Sequence, residues 1–143
     1  MKKPIFHFLF RIYLLLLLCA TPAGFLNAAN VYIEANTLCS VAGINSSDIV
    51  YIRNGATLTV DISDTCRIMY IASDAGAAGA GTLLFNSGTA LTVSTGAITV
   101  GTATYTGTID MSAGGTLNCN GFNAATTAFL ISGIGTVEIR ASV

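Results

Sequence analysis

Residues 50–60, VYIRNGATLTV, and residues 83–93, LLFNSGTALTV, have one shape. Three strand-forming residues lead into a polar turn that closes on glycine, and three more strand formers follow. A third copy runs from Ile109-Asp110-Met111 through Gly114 to Leu117-Asn118-Cys119, with every offset kept. A fourth opens at Val137-Glu138-Ile139. The copies start at residues 50, 83, 109 and 137, so they lie 33, 26 and 28 residues apart.

Each triplet alternates with period two, the signature of a strand with one wet and one dry side. The outer members are apolar. The middle members are Tyr51, Leu84, Asp110 and Glu138 in the first strand, and Thr59, Thr92 and Asn118 in the second. Glycine and β-branched residues dominate, and no apolar stripe recurs at helical spacing. Units of this length cannot bury an apolar face alone, so they stack on one another and share a core. The expected fold is all-β, a parallel β-solenoid (β-helix) of about three to four rungs. Linear alignment predicts two inward ladders: Val60, Val93 and Cys119, and Leu58, Leu91 and Leu117. It also places Asp110 and Glu138 in one outward column. Ile98-Thr99-Val100 and Phe129-Leu130-Ile131 are candidates for a third strand, and DAGAAGAG (74–81) reads as a small-residue loop.

The first 29 residues stand apart. Lys2, Lys3 and Arg11 precede the apolar run IYLLLLLCA, and small residues close the segment. That order is a secretory signal peptide, with cleavage expected after Ala28 or Ala29. The apolar run is too short for a mature membrane span. The solenoid domain is then 30–143, about 114 residues, a suitable length for one domain. Removing the signal removes the one histidine, both lysines and both prolines. The remainder keeps Arg53, Arg67 and Arg140 against seven acids, a formal net charge of −4. Such a chain has no basic footprint for nucleic acid. It also lacks the parts of a Ser-His-Asp or Cys-His site, a lysine Schiff base or a histidine metal cluster. No cofactor is expected.

Cys39, Cys66 and Cys119 remain in a compartment that permits disulfides. A Cys39–Cys66 bridge with one leftover thiol is the simplest count. Three buried thiols acting as small apolar residues are the alternative. Asp61 and Asp64, in DISD near Arg67, are the candidate ligand or ion contacts. Two carboxylates could serve a glycosidase or Ca²⁺. The competing reading is a capped turn after a strand. Thr102, Thr104, Thr106 and Thr108 alternate, which suggests a threonine rank on one face.

DIVYIRNGATLTVD (48–61), followed by GTLLFNSGTALTV (81–93), resembles the glycine- and threonine-rich parallel β-helix repeats of bacterial cell-surface proteins. GTATYTGTIDMSAGGTL (101–117) is similar to the repeats of autotransporter passenger domains and adhesin-like surface proteins. The resemblance covers residues 48–143. It implies a secreted or cell-surface, non-enzymatic structural or adhesive protein, either a short stand-alone member or a piece of a longer one. The expected partners are further copies stacked end to end, or a surface glycan. The alternatives are a carbohydrate- or ice-binding module, with Tyr51 outward, and a polysaccharide-active enzyme.

Overall fold

A computed structural model describes residues 28–73, 79–125 and 129–140. The signal segment 1–27 and most of the loop 74–81 lie outside the described residues. The chain is an all-β parallel solenoid of about four turns. Its strands are β1 (Asn30–Ile33), β2 (Thr37–Leu38), β3 (Ile49–Ile52), β4 (Thr57–Val60), β5 (Asp64–Cys66), β6 (Ile68–Ile71), β7 (Gly81–Phe85), β8 (Ala90–Val100), β9 (Gly107–Met111), β10 (Thr116–Ala124), β11 (Phe129–Gly133) and β12 (Thr136–Ile139). Among the described residues one short helix, α1 (Cys39–Ala42), follows β2.

The pairings divide the prism into three faces. Face A stacks β1, β3, β6, the second half of β8 and the end of β10. Face B stacks β2, β4, β7, β9 and β11. Face C stacks β5, the first half of β8, the start of β10, and β12. The chain visits A, B and C in turn, and α1 stands where the first strand of face C would be.

Two of the four copies shift by one face relative to the linear alignment. Leu58-Thr59-Val60 lies against Leu83-Leu84-Phe85, not against Leu91-Thr92-Val93. The true step is from residue 58 to 83, one corner shorter than the step to 91. Likewise Val137-Glu138-Ile139 lies against Leu117-Asn118-Cys119. Ile109 and Asp110 are instead partnered by Ile131 and Ser132. Val93 and Cys119 do share a column, joined by Cys66 and Ile139, while Val60 faces Phe85. Asp110 and Glu138 therefore stand on different faces and do not repel. The cause is geometric. A glycine turn between two strands serves the corner from A to B in VYIRNGATLTV and the corner from B to C in LLFNSGTALTV. Phe129–Ile131 likewise belongs to face B, and the partner of Ile98-Thr99-Val100 is Phe122-Asn123-Ala124.

The interior is apolar. Val50, Ile52, Leu58, Met69, Ile71, Leu83, Phe85, Leu91, Ile98, Ile109 and Leu117 are buried in one contiguous cluster. The corner after face A is held by a repeated bond: the amides of Arg53, Ala72, Gly101 and Ala125 donate to the carbonyls of Ile33, Ile52, Ile71 and Val100 one turn below. Where that corner enters face B, Gly107 is wedged into backbone. A Cβ there would lie 2.5 Å from Val100 Cγ1 and 2.7 Å from both Gly101 N and Ile71 O. Gly107→Ala should therefore cost about 2–3 kcal/mol, because carbonyl and amide cannot give way. Gly88→Ala, at a left-handed corner (φ 74°) open to solvent, should cost only about 1–2 kcal/mol. Denaturant titration of the two variants checks the order.

Candidate functional site

Three surface features carry polar chemistry: the aspartates beside α1, a tyrosine column on face A and the threonines of face B. Asp61 follows β4, and its carboxylate accepts from Ser40 twice, from the amide at 3.0 Å and from the hydroxyl. That hydroxyl bond holds the exposed Asp61 carboxyl below its usual range. Asp61 thus fastens α1 over the first turn. Asp64 opens β5, where its Oδ1 accepts the Thr65 amide at 2.7 Å. Among the described residues, no group of three or more His, Cys, Asp or Glu could hold a metal ion.

The cysteines correct an expectation. Cys39, Cys66 and Cys119 are all free and buried, and no pair is at bonding distance, so Cys39 and Cys66 form no disulfide. They fill inward positions as small packing residues. Cys66 and Cys119 sit in one column of face C with Val93 between them. Burial, reinforced by the nearby charge of Asp64, pushes the Cys39 and Cys66 thiols up to about 12. Burial raises Cys119 as well. Such thiols are poor nucleophiles and poor metal ligands, since the thiolate is the reactive form.

On face A, Tyr32, Tyr51 and Tyr70 form one outward column. Their rings stack with centroids 5.0 Å apart, at interplanar angles of 22° and 9°. Arg53 lies 4.3 Å from the centre of the Tyr32 ring and pairs with Glu34 at 2.6 Å. The sequence carried a signal for this column in NVYI, IVYI and IMYI, with tyrosines at 32, 51 and 70 in equal steps. Alignment on glycine turns passes over it, because the two steps that join the tyrosines, 19 residues each, are shorter than the 26 to 33 between the glycine-anchored copies. The stack consumes ring faces: Tyr51 is covered on both sides. A sugar that binds by stacking needs free faces, so this column offers hydroxyls and ring edges instead.

On face B, Thr57, Thr82 and Thr108 stand in register as one outward rank. The neighbouring column contains Thr59, Leu84 and Asp110. The alternating run 102–106 is not a strand: Thr102 Oγ1 accepts the amides of Thr104 and Tyr105, which folds it into a turn. Only Thr108 of that series enters a sheet.

No protein family, curated protein or solved structure matches this chain. The molecule has to be read from its own surfaces.

One further carboxylate escaped the reading of the sequence. Among the described residues, Asp48 is the buried acid, 2% exposed. Its Oδ1 accepts the Ala29 amide at 3.1 Å, and its Oδ2 accepts from the Asn45 amide at 3.0 Å and side chain at 2.6 Å. The local signal was NSSD (45–48), in which Asn45 Oδ1 also accepts the Ser47 amide, an Asx turn.

Proposed function

We propose that the protein is an exported, non-enzymatic structural or adhesive solenoid of the bacterial cell surface whose last turn is a docking face, taken by a second copy or, in a longer surface protein, by further rungs. One observation carries this reading: the two ends of the prism differ. At the first turn, the inward positions Ile33, Cys39 and Ile44 are already buried, and the apolar side chains exposed there, Leu38 and Val41, belong to β2 and α1. At the last turn, the inward positions Ile131 and Ile139 are 40% and 57% exposed, beside Phe129, Leu130 and Ile134. Together these side chains leave on the order of 500 Å² of apolar surface. A stable homodimer takes about 800 Å² from each partner, roughly two-thirds of it apolar. β11 and β12 are also the edge strands of their sheets, and natural proteins normally cover such edges.

A second copy meeting the same end suits this surface. Its only described charges are Glu138 and Arg140, 3.9 Å apart, a pair that complements itself across a two-fold axis. The first turn is the more polar face for such a contact, with Ser40, Asp61 and the Glu34–Arg53 pair beside the exposed Leu38 and Val41. Support for a surface location comes from the signal segment and from the resemblance to parallel β-helix surface proteins.

Sedimentation of the chain from Ala29 onward tests the assembly. A concentration-dependent dimer is expected, and Ile134→Asp should weaken it at least about tenfold, because it places a charge in an apolar junction. Ile134 is 84% exposed in the monomer, so its circular dichroism should not change. A monomer at every concentration rejects assembly through this end. A carbohydrate- or ice-binding module is the second reading, favoured by the rank Thr57, Thr82 and Thr108. Thermal hysteresis or a glycan-array signal abolished by Thr82→Tyr would select it.

A further inference from the structure

We infer that export completes the fold: cleavage between Ala28 and Ala29 creates an α-ammonium that becomes the counter-ion of buried Asp48. The inference rests on the export reading above. Two independent observations meet at one atom. The sequence places signal cleavage after Ala28 or Ala29. The structure places the nitrogen of Ala29 3.1 Å from Asp48 Oδ1.

Asp48 is otherwise hard to account for. A buried carboxylate ordinarily has a cation or a metal against it. Among the described residues, the donors to this one are the Ala29 and Asn45 amides and the Asn45 side chain, all neutral. Arg67 meets Asp48 only through its main chain, donating its amide to the Asp48 carbonyl at 2.8 Å. Cys66 feels the Asp48 charge, which helps to keep its thiol protonated, and so it supplies no cation.

Ala29 is held in place from both ends. Its carbonyl accepts the Ile49 amide at 2.9 Å, the bond that begins the pairing of β1 with β3. Ala29 itself is exposed, while the carboxylate it caps is not. The new terminus therefore needs no rearrangement to reach its partner. Hydrolysis by a signal peptidase adds one water across the Ala28–Ala29 bond. The Ala28 carbonyl carbon takes the hydroxyl and becomes a carboxylate. The Ala29 nitrogen takes the proton, and a second from solvent, and becomes an ammonium. A neutral N–H contact is thereby replaced by a charge-assisted one. Cleavage after Ala29 would remove this nitrogen altogether.

Intact mass of the exported protein gives the first test. A mature chain beginning at Ala29 is expected. One beginning at Asn30 overturns the inference and leaves the export reading standing; an uncleaved chain in the cytoplasm removes both. The second test compares the chain from Ala29 with the same chain Nα-acetylated. Acetylation should lower the folding equilibrium constant about tenfold and the melting temperature by about 5 °C. The loss should disappear in the Asp48→Asn background, which keeps the side-chain shape but no charge. Equal stability of the free and acetylated forms, or an acetylation loss that persists in Asp48→Asn, overturns the pairing.

Discussion

Raising the pH from 9 towards 12 should unfold the protein steeply. Cys39 and Cys66 keep their protons in the folded state up to about 12, against an ordinary thiol value of 9.0. Below pH 9 both states are protonated and the thiols' contribution is fully present. Above 9 the unfolded chain releases its thiol protons while the folded chain holds them, so stability falls with pH. Each pH unit in that window removes on the order of 1 kcal/mol per thiol. Across the window the loss approaches several kcal/mol, comparable with the roughly 5–15 kcal/mol that holds a domain together. The measurement must be a difference between two chains, so that every other effect of alkali cancels. Denaturant midpoints between pH 8 and 11 for the parent, and for a chain carrying both Cys39→Ala and Cys66→Ala, supply it. The double variant should start less stable and lose stability less steeply. Parallel curves would show that the thiols are not the cause.

Phe85→Ala should be the most damaging single truncation, at about 3–5 kcal/mol and on the order of 10–20 °C in melting temperature. Phe85 is fully buried, the largest side chain of the core. Val60 lies in register with it one turn below. Gly115 crosses its other flank, so closely that an added Cβ would lie 2.9 Å from the Phe85 Cβ and Cδ1 atoms. Gly115 has φ 94°, a conformation that suits glycine alone. Backbone on that flank cannot collapse into the space that alanine would leave. Phe122→Ala is the comparison. Phe122 is half-buried at the open end, against Phe129 at 6.2 Å, and should cost about 1 kcal/mol. Equal losses at the two positions would mean that the interior relaxes as easily as the end.

The fold was legible in the sequence because period-two alternation runs through the strands and glycine turns mark several of the corners. The register was not, because a turn motif says that a corner is present without saying which one. Val60 and Val137 were each displaced by one face for that reason, whereas Val93 and Cys119, which lie on equivalent corners, were aligned correctly. The site was less legible still. Tyr51 was placed outward, but its neighbours Tyr32 and Tyr70 lie in turns shorter than the assumed repeat. Cys39 and Cys66 looked like a bridge because counting cysteines says nothing about which way each side chain points. Asp48 was passed over because its partners are mostly main-chain groups, which leave little mark in a sequence.

The corner that follows face A varies most in length. It is short after β3, where Thr57 soon begins face B, and far longer after β6, where face B resumes only at Gly81. The inter-turn bonds from Ala72 and Gly101 are nevertheless kept on the near side of the longer corners. That corner is thus the molecule's expansion joint. Foreign peptides grafted there should project from one edge of the prism at heights fixed by the strand spacing, making the scaffold a ruler for displaying epitopes.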